Sequence, residues 1–227
     1  AEFLLNFTEQ EDERTYSLWT SPYKRARETA EEIKEVMGDR IQFSKESIFL
    51  GEQQFGLFEG LPLHELSKKY PYEYSHFEKA IAYGGRFWAR MPLGESRFDV
   101  AVRLKSAIDS IYDGYQQNKY TDAIIVTHGV TSRVLTMMLL NHNPEWLEVE
   151  ANPKNCAIRL LEDSADRGYI FDGFQETRIR KREETGNEES PLKKRKGNNG
   201  EAIDSEISPL LHQLESLEEQ IAILKEQ

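Results

Sequence analysis

The stretch DAIIVTHGVTSRVLTMMLL, residues 122–140, constrains the fold of this chain more than any other. Residues 123–126 are a short apolar run, which predicts a buried β-strand. A Thr-His-Gly turn follows at once, and a helix is expected from about Val130. A buried strand that leads directly into a helix is the unit from which α/β folds with parallel sheets are built.

Other segments continue this alternation of strands and helices. Residues 15–21 predict a strand that ends at a Ser-Pro pair, followed by a helix that Gly38 closes. Residues 41–50 and 156–162 predict two further strands. The sequence therefore predicts an α/β fold with a largely parallel sheet. A helix is also expected within residues 94–115, with Ser96 as its N-cap and a face made of Val100, Leu104, Ile108 and Ile111.

Two segments between these elements are less regular. Residues 51–61 are too rich in glycine for a helix and too polar for a strand, so a loop is expected. Residues 62–92 are rich in aromatic side chains. They either cap a pocket or fill the core of a small subdomain, and we favour the core.

Composition excludes several classes of protein. The 227 residues carry a net charge of −11, which argues against a nucleic-acid partner. No apolar run approaches the length that spans a membrane. Cys156 is the only cysteine, so an internal disulfide is excluded, and a reducing compartment such as the cytoplasm or nucleus is expected. Because the chain begins at Ala1 without a methionine, we treat its start as a cut edge.

Charged side chains at the ends of two predicted strands indicate an anion site, because ligands of parallel sheets bind beyond the carboxyl ends of the strands. His128 lies where a strand gives way to a helix N-terminus, whose free N–H groups favour an anion. Gly129 permits close approach, and Arg25 carries a planar fork of donors that suits phosphate oxygens. Each residue alone has a blander interpretation, as a structural histidine or a solvated cation. The combination predicts a phosphate cradle.

Four short motifs occur in a fixed order along the chain. They are S-x-x-x-R-A-x-x-T-A at residues 21–30, E-x-x-F-G-x-x-E-G at residues 52–60, G-E-S at residues 94–96 and T-H-G at residues 127–129. Together they resemble the histidine phosphatase, or phosphoglycerate mutase-like, superfamily over roughly residues 1–173. The stretches GRFWARMPLGES and THGVTSRVL look most like the broad-range acid phosphatase branch of fungi and plants.

The resemblance implies a three-layer fold with a mostly parallel central sheet, and hydrolysis of phosphomonoesters through a phosphohistidine intermediate. By motif, Arg25 binds phosphate, His128 stabilises the transferring phosphoryl group and Glu52 protonates the leaving group. The substrate is expected to be a small phosphorylated molecule, chosen by residues 62–92, and neither a metal nor a cofactor is expected. The substrate-binding residues that the resemblance implies are Ser21, Arg25, Gln53 and Gly129.

The chain departs from the family at its nucleophile. The family's nucleophilic histidine lies in an Arg-His-Gly motif at the end of the first strand, and residues 1–227 contain no such motif. The start AEFLL resembles the helix that follows this strand, so about 40 residues of the domain are expected to be missing. Their absence would leave an uncovered edge beside the strand that ends at His128.

Two hypotheses remain open at this point. The chain is either an inactive fragment of an active phosphatase, or a catalytically dead pseudophosphatase that binds a phosphorylated ligand or partner as a scaffold. An Arg-His-Gly motif upstream of Ala1, after an apolar strand, would decide for the enzyme.

The sequence divides into three parts. Residues 1–174 form the incomplete phosphatase domain, residues 175–205 a disordered charged linker, and residues 206–227 an amphipathic helix. The helix could form a coiled coil with a second copy or another protein, or dock on the domain. Its seam residues follow at spacings of 4, 3, 4 and 3: Leu210, Leu214, Leu217, Ile221 and Leu224.

The linker holds two basic clusters, Lys181-Arg182 and residues 193–196, separated by ten residues. This spacing predicts a bipartite nuclear localisation signal, and the competing interpretation is a solvated run of charge. We therefore expect a cytoplasmic protein, a nuclear one, or both, with no membrane partner.

Overall fold

The structure is a computed structural model that describes residues 1–8, 14–162 and 164–174. The predicted linker, the localisation signal and the C-terminal helix lie outside the described residues. The helices and strands of the described part, in chain order, are α1 Glu2–Thr8, β1 Tyr16–Thr20, α2 Lys24–Met37, β2 Ile41–Glu46, α3 Leu63–Lys69, α4 Pro71–Gly84, α5 Arg97–Gln116, β3 Asp122–Val126, α6 Gly129–Leu139, α7 Trp146–Val149, β4 Ile158–Glu162 and β5 Ala165–Phe171.

The strands form two sheets. Three parallel strands stand in the order β2-β1-β3, and β4 pairs with β5 as a separate antiparallel sheet. Tyr16 at the start of β1 lies opposite Asp122 of β3, and Thr20 at its end lies opposite Val126. Arg14 links the two sheets, since its guanidinium lies 3.2 Å from Asp122 and 3.7 Å from Glu162 at the end of β4. The predicted α/β fold with a largely parallel sheet is confirmed.

Alternation along β1 places a helical layer on each face of the sheet. Tyr16 and Leu18 point to one face, where they pack with Ala30 and Ile33 of α2. Trp19 points to the other face, into a larger core that is built mainly from α5 and α6. The arrangement has three layers, as the sequence motifs implied.

The strand ending at Val126 is less buried than its sequence predicts. Ala123 is exposed and the rest of β3 is only half-buried, whereas all five residues of β1 are buried. The strand predicted at residues 123–126 is therefore confirmed, but the prediction that it is buried is wrong. The physical reason is that β3 pairs with β1 on one side and, within the described residues, with no strand on the other.

Most predicted boundaries agree with the structure, and α5 confirms its N-cap. The Ser96 hydroxyl accepts from the Asp99 amide at 3.1 Å, and the Ser96 amide donates to the Asp99 carboxylate at 2.7 Å. The strand expected at residues 41–50 ends at Glu46, because residues 48–50 form a 3₁₀ turn. The strand expected at residues 156–162 starts two residues late, at Ile158. Neither α7 nor β5 was predicted, because both segments are short or interrupted by charges and glycine.

The aromatic segment 62–92 is mainly helical and supports a small core of its own. Phe77 is buried there with Phe58 of the preceding loop, and Tyr70 and Tyr74 pack against them. The subdomain-core interpretation thus holds for these residues. It fails for Tyr83, which is 97% exposed. No helix in the described part of the chain is both long and apolar enough to cross a membrane.

Candidate active site

The site forms where the carboxyl ends of β1 and β3 lie side by side. The Ser21 amide donates to the Val126 carbonyl at 2.9 Å, which extends the ladder one residue beyond β1. The chain then enters α2 after Ser21 and α6 after His128. Adjacent parallel strands thus bring two helix N-termini and their flanking side chains to one place, as the sequence predicted.

His128 is held between the two side chains that were predicted to accompany it. Arg25 Nη2 lies 2.9 Å from Nδ1 of the imidazole, and Ser21 Oγ lies 2.7 Å from Nε2. Because arginine can only donate, Nδ1 is the acceptor and Nε2 carries the proton that is donated to Ser21. The ring is 7% exposed, so its orientation is fixed from both ends.

The electrostatic surroundings favour the neutral form of His128. Burial lowers the pKa of the imidazole from its ordinary value of 6.5, and the positive charges of Arg25 and Arg103 lower it further against an opposing effect of Glu52. A neutral ring agrees with the hydrogen bond accepted from Arg25. An anion that bound beside the ring would shift this balance toward the protonated form.

Of the three cations that open α2, only Arg25 turns toward the site. Its guanidinium lies over the Tyr23 ring at 5.2 Å, and that ring lies 5.0 Å from the ring of His128. Lys24 is 82% exposed and pairs with Glu28, one turn along the same helix. Arg27 also points outward, with Glu46 at 4.0 Å. The role of Tyr23 as the support beneath Arg25 was not foreseen, since a lone tyrosine after proline gives no signal in the sequence.

Glu52 reaches the same place from the loop after β2, and its carboxylate accepts four hydrogen bonds. The donors are the Gln53 amide at 2.9 Å, the Val130 amide at 3.3 Å, and the Thr131 amide and hydroxyl at 3.2 and 3.1 Å. The carboxylate therefore caps the N-terminus of α6, where the helix dipole favours negative charge. Thr131 was missed by the sequence reasoning, although a threonine in the first turn of a helix is a recognisable donor.

Gly129 stands beside this cap. A Cβ at this position would lie 3.6 Å from Asn152 Oδ1 and 3.8 Å from Glu52 Oε2, which are ordinary contact distances. The described protein atoms alone therefore do not require glycine here. The space that glycine leaves for a ligand remains the reason for expecting glycine at this position.

The side-chain amide of Gln53 makes a structural hydrogen bond and does not point into the open site. Its buried side-chain amide donates to the Glu95 carbonyl at 2.7 Å. Glu95 also binds Arg103 through both carboxylate oxygens, at 2.9 and 3.2 Å, and Arg103 donates to the carbonyls of Phe49 and Glu52. This Glu95–Arg103 clamp fixes the backbone of the loop that carries Glu52. Neither residue's role was foreseen.

A cavity of about 380 Å³ opens next to Arg25 and Glu52. None of the residues that line it belongs to segment 62–92, to which substrate choice was assigned by resemblance. In the described part of the chain, no group of three or more His, Cys, Asp or Glu side chains is placed to hold a metal ion. The cavity is lined by Tyr23, Arg25, Glu52, Gln53, Gln54, Phe55, Gly56 and Glu59.

The structure thus brings five of the six predicted site residues to one place. Gln53 lines the cavity wall but directs its amide into the protein. The five that converge at the ends of β1, β2 and β3 are Ser21, Arg25, Glu52, His128 and Gly129.

Comparison with known proteins accords with this geometry. The family model of the histidine phosphatase superfamily (branch 1) matches residues 4–172. This match covers well over half of the chain. The chain belongs to the histidine phosphatase superfamily.

Individual relatives are more distant. The phosphoglycerate mutase-like protein AT74 of Arabidopsis thaliana is 32% identical over 152 residues, which are 63% of this chain and 45% of that protein. The broad-range acid phosphatase DET1 of Saccharomyces cerevisiae is 30% identical over 92 residues, 38% of this chain and 28% of that protein. The chain therefore spans less than half the length of these two relatives.

Solved structures share the fold. A mycobacterial glucosyl-3-phosphoglycerate phosphatase, solved with VO3, superposes with a TM-score of 0.55 at 19% identity. The superposition covers 75% of this chain and 82% of the mycobacterial one. The α/β arrangement described above is thus the histidine phosphatase fold.

Proposed function

We propose that this chain is part of a phosphomonoester hydrolase that works through a phosphohistidine intermediate. The observation that carries the proposal is the hydrogen-bonded set of Ser21, Arg25 and His128 at the joined ends of two parallel strands. In a member of the histidine phosphatase superfamily, such a set supports binding of a phosphoryl group, for which His128 exchanges one of its two hydrogen bonds for a phosphoryl oxygen.

Each side chain has a defined task in the proposed reaction. Arg25 and His128 hold the phosphoryl oxygens and balance the negative charge that develops during transfer. Glu52, on the wall of the cavity, gives its proton to the departing alkoxide. Since its carboxylate accepts four hydrogen bonds at the start of α6, the reaction requires Glu52 to exchange some of these bonds for a proton and the leaving-group oxygen.

The nucleophile is the part that residues 1–227 do not contain. We place it in an Arg-His-Gly segment whose strand pairs in parallel along the open edge of β3. A parallel strand there would end next to His128, because neighbouring parallel strands finish at the same edge. Its histidine nitrogen attacks phosphorus while the bond to the ester oxygen breaks. Water then cleaves the P–N bond, with Glu52 as base, and releases phosphate.

The experiment compares two proteins in p-nitrophenyl phosphate hydrolysis, with and without EDTA. Residues 1–227 alone are expected to give background rates. A protein extended upstream to include an Arg-His-Gly strand is expected to turn over at a rate that EDTA leaves unchanged, and to carry an acid-labile phosphohistidine. His128→Ala in the extended protein is the matched control and should lose activity.

The results separate the enzyme from the scaffold. Turnover by residues 1–227 alone, or loss of activity in EDTA, would contradict the proposed roles. An extended protein that binds phosphate but never hydrolyses an ester would establish the second candidate, a pseudophosphatase. That candidate is favoured by one observation, the lack of Arg-His-Gly in residues 1–227.

A further inference from the structure

We infer that the cavity beside Arg25 selects phosphomonoesters whose remaining part is uncharged and rich in hydroxyl groups, such as sugar monophosphates. Esters with a second phosphate or a carboxylate are disfavoured. This inference rests on the proposed function, because it concerns the group that the phosphoryl anchor leaves in the cavity. It is carried by the charges and the free polar groups of the cavity wall.

Positive charge is scarce in this wall. Among the described lining residues, Arg25 is the one cation, whereas Glu52 and Glu59 are both acidic. Arg25 is already committed to His128 and to the expected phosphoryl group. A second anionic group of the substrate would therefore have no cation to meet within the described wall.

Lys24, Arg27 and Arg103, which lie near the cavity wall, do not supply the positive charge that it lacks. Lys24 and Arg27 point outward and pair with carboxylates of their own. Arg103 lies behind the wall, where Glu95 and two backbone carbonyls use its donors. A second phosphate or a carboxylate would instead face Glu59, and like charges brought together at a binding site are strongly unfavourable.

The same wall offers partners for hydroxyl groups. Gln54 is exposed, and its side-chain amide makes no hydrogen bond to the described residues, so it can both donate and accept. Glu59 is likewise exposed and adds carboxylate acceptors. The rings of Tyr23 and Phe55 supply apolar surface between these polar groups. A few polar groups set among aromatic rings recognise an uncharged polar ligand well.

The test measures binding of four probes to residues 1–227 by ligand-observed NMR and calorimetry. The probes are inorganic phosphate, glucose 6-phosphate, 3-phosphoglycerate and glucose 1,6-bisphosphate. Inorganic phosphate should bind, and glucose 6-phosphate should bind about tenfold more tightly than either ester with a second anionic group, the size expected for one partly screened charge contact.

Variants at Glu59 show whether the wall causes this preference. Glu59→Lys should reverse it, so that 3-phosphoglycerate binds more tightly than glucose 6-phosphate. Glu59→Gln should reduce the tenfold difference to about threefold, because it removes the charge but keeps an acceptor. Glu35→Lys is the matched control: it makes the same change of charge at an exposed position near the far end of α2 and should leave the preference unchanged.

Each result has one meaning. If no probe binds, including inorganic phosphate, the phosphate site itself fails and the proposed function fails with it. If inorganic phosphate binds but the esters with a second anionic group bind as tightly as glucose 6-phosphate, the inference about substrate class is overturned and the phosphate site stands. A preference that Glu35→Lys alters as much as Glu59→Lys would also overturn it, because net charge would then be the cause.

Discussion

The neighbouring strands β1 and β3 differ in burial, and the strand with the more polar sequence is the more buried of the two. YSLWT of β1 contains three side chains with a hydroxyl group, yet every residue is buried. AIIV of β3 is entirely apolar, yet it is half-buried or exposed. The two strands pair in register, end at the same edge of the sheet and are each followed by a helix. Their different burial therefore comes from the number of strands that pair with them, which is two for β1 and, within the described residues, one for β3. An apolar run indicates that a strand needs buried surroundings. In the described structure β1 has such surroundings and β3 does not.

Hydrogen exchange is the largest expected difference between the two strands. In a parallel ladder the amides of alternate residues face opposite neighbours, so part of β3 has amides without a partner strand in the described structure. We expect those amides to exchange through openings that cost close to zero. Amides of β1 should approach the global free energy of unfolding, on the order of 5–15 kcal/mol. Equal protection of both strands in residues 1–227 would show that the edge of β3 is covered in solution, for example by a second molecule.

Truncation of one side chain in each strand should give the next largest effect. Leu18→Ala removes a side chain that is fully buried against α2, and should lower the free energy of unfolding by about 2–5 kcal/mol. Ile124→Ala removes a side chain of equal size from the half-buried strand of the same cluster, and should cost about half as much. Urea unfolding at equilibrium measures both. The comparison fails if the Ile124 variant loses as much as the Leu18 variant.

The Glu95–Arg103 clamp should matter more to the end of β3 than to that of β1. The loop that it fixes accepts a hydrogen bond from the Thr127 hydroxyl at the Leu50 carbonyl, and it presents Glu52 to α6. Arg103→Ala removes the side-chain donor of the Phe49 and Glu52 carbonyls and leaves the Glu95 carboxylate with the Gln54 amide, at a cost of about 1–3 kcal/mol. NMR shifts should change for residues 127–131 and stay nearly constant for residues 16–20. Lys105→Ala, an exposed neighbour on α5, is the control.

The smallest expected effect is a pH dependence of the free energy of unfolding that comes from His128, which lies where β1 and β3 end side by side. Because burial, followed by the charge of Arg25, lowers the pKa of His128 below 6.5, the unfolded chain binds a proton more readily than the folded one. Stability attributable to His128 is therefore complete above pH 6.5 and is lost as the pH falls below it toward the folded pKa. His128→Asn should remove this slope in unfolding curves measured between pH 5 and 8. A slope that survives the substitution must belong to another group.

Much of the fold and part of the site could be predicted from the sequence, and the limits have physical reasons. Local signals such as the Ser96 cap and the strand-to-helix turn at His128 depend on neighbouring residues, so the sequence reveals them. The inward turn of Arg25, in contrast to Lys24, depends on the Tyr23 ring and on His128, about 100 residues away. The extent of burial of β3 depends on which strands pair with it, and the sequence of β3 does not specify its partners.

Long-range polar pairing explains the other omissions. Gln53 was expected to face substrate, but the Glu95 carbonyl that takes its amide lies 42 positions along the chain. Arg103 looks like one of several cations on a surface helix, and only the folded chain shows that it supports the backbone of the Glu52 loop. Spacing identifies residues that meet across one turn of a helix or strand. It does not identify those that meet across the molecule.

The approach of Gly56 to Gly94 has a consequence for how the molecule could be rebuilt. A Cβ on Gly56 would lie 2.1 Å from the Pro92 carbonyl oxygen, and one on Gly94 would lie 2.3 Å from that of Gln54, so backbone touches backbone at both positions. The Leu57 amide closes the junction by donating to Pro92 at 2.9 Å. Residues 57–91 thus leave and rejoin the domain at a single point. Most of the segment packs in its own small core, but Phe87 is buried in the larger core with α5 and α6, so a shortened or exchanged segment must keep Phe87 as well as this junction.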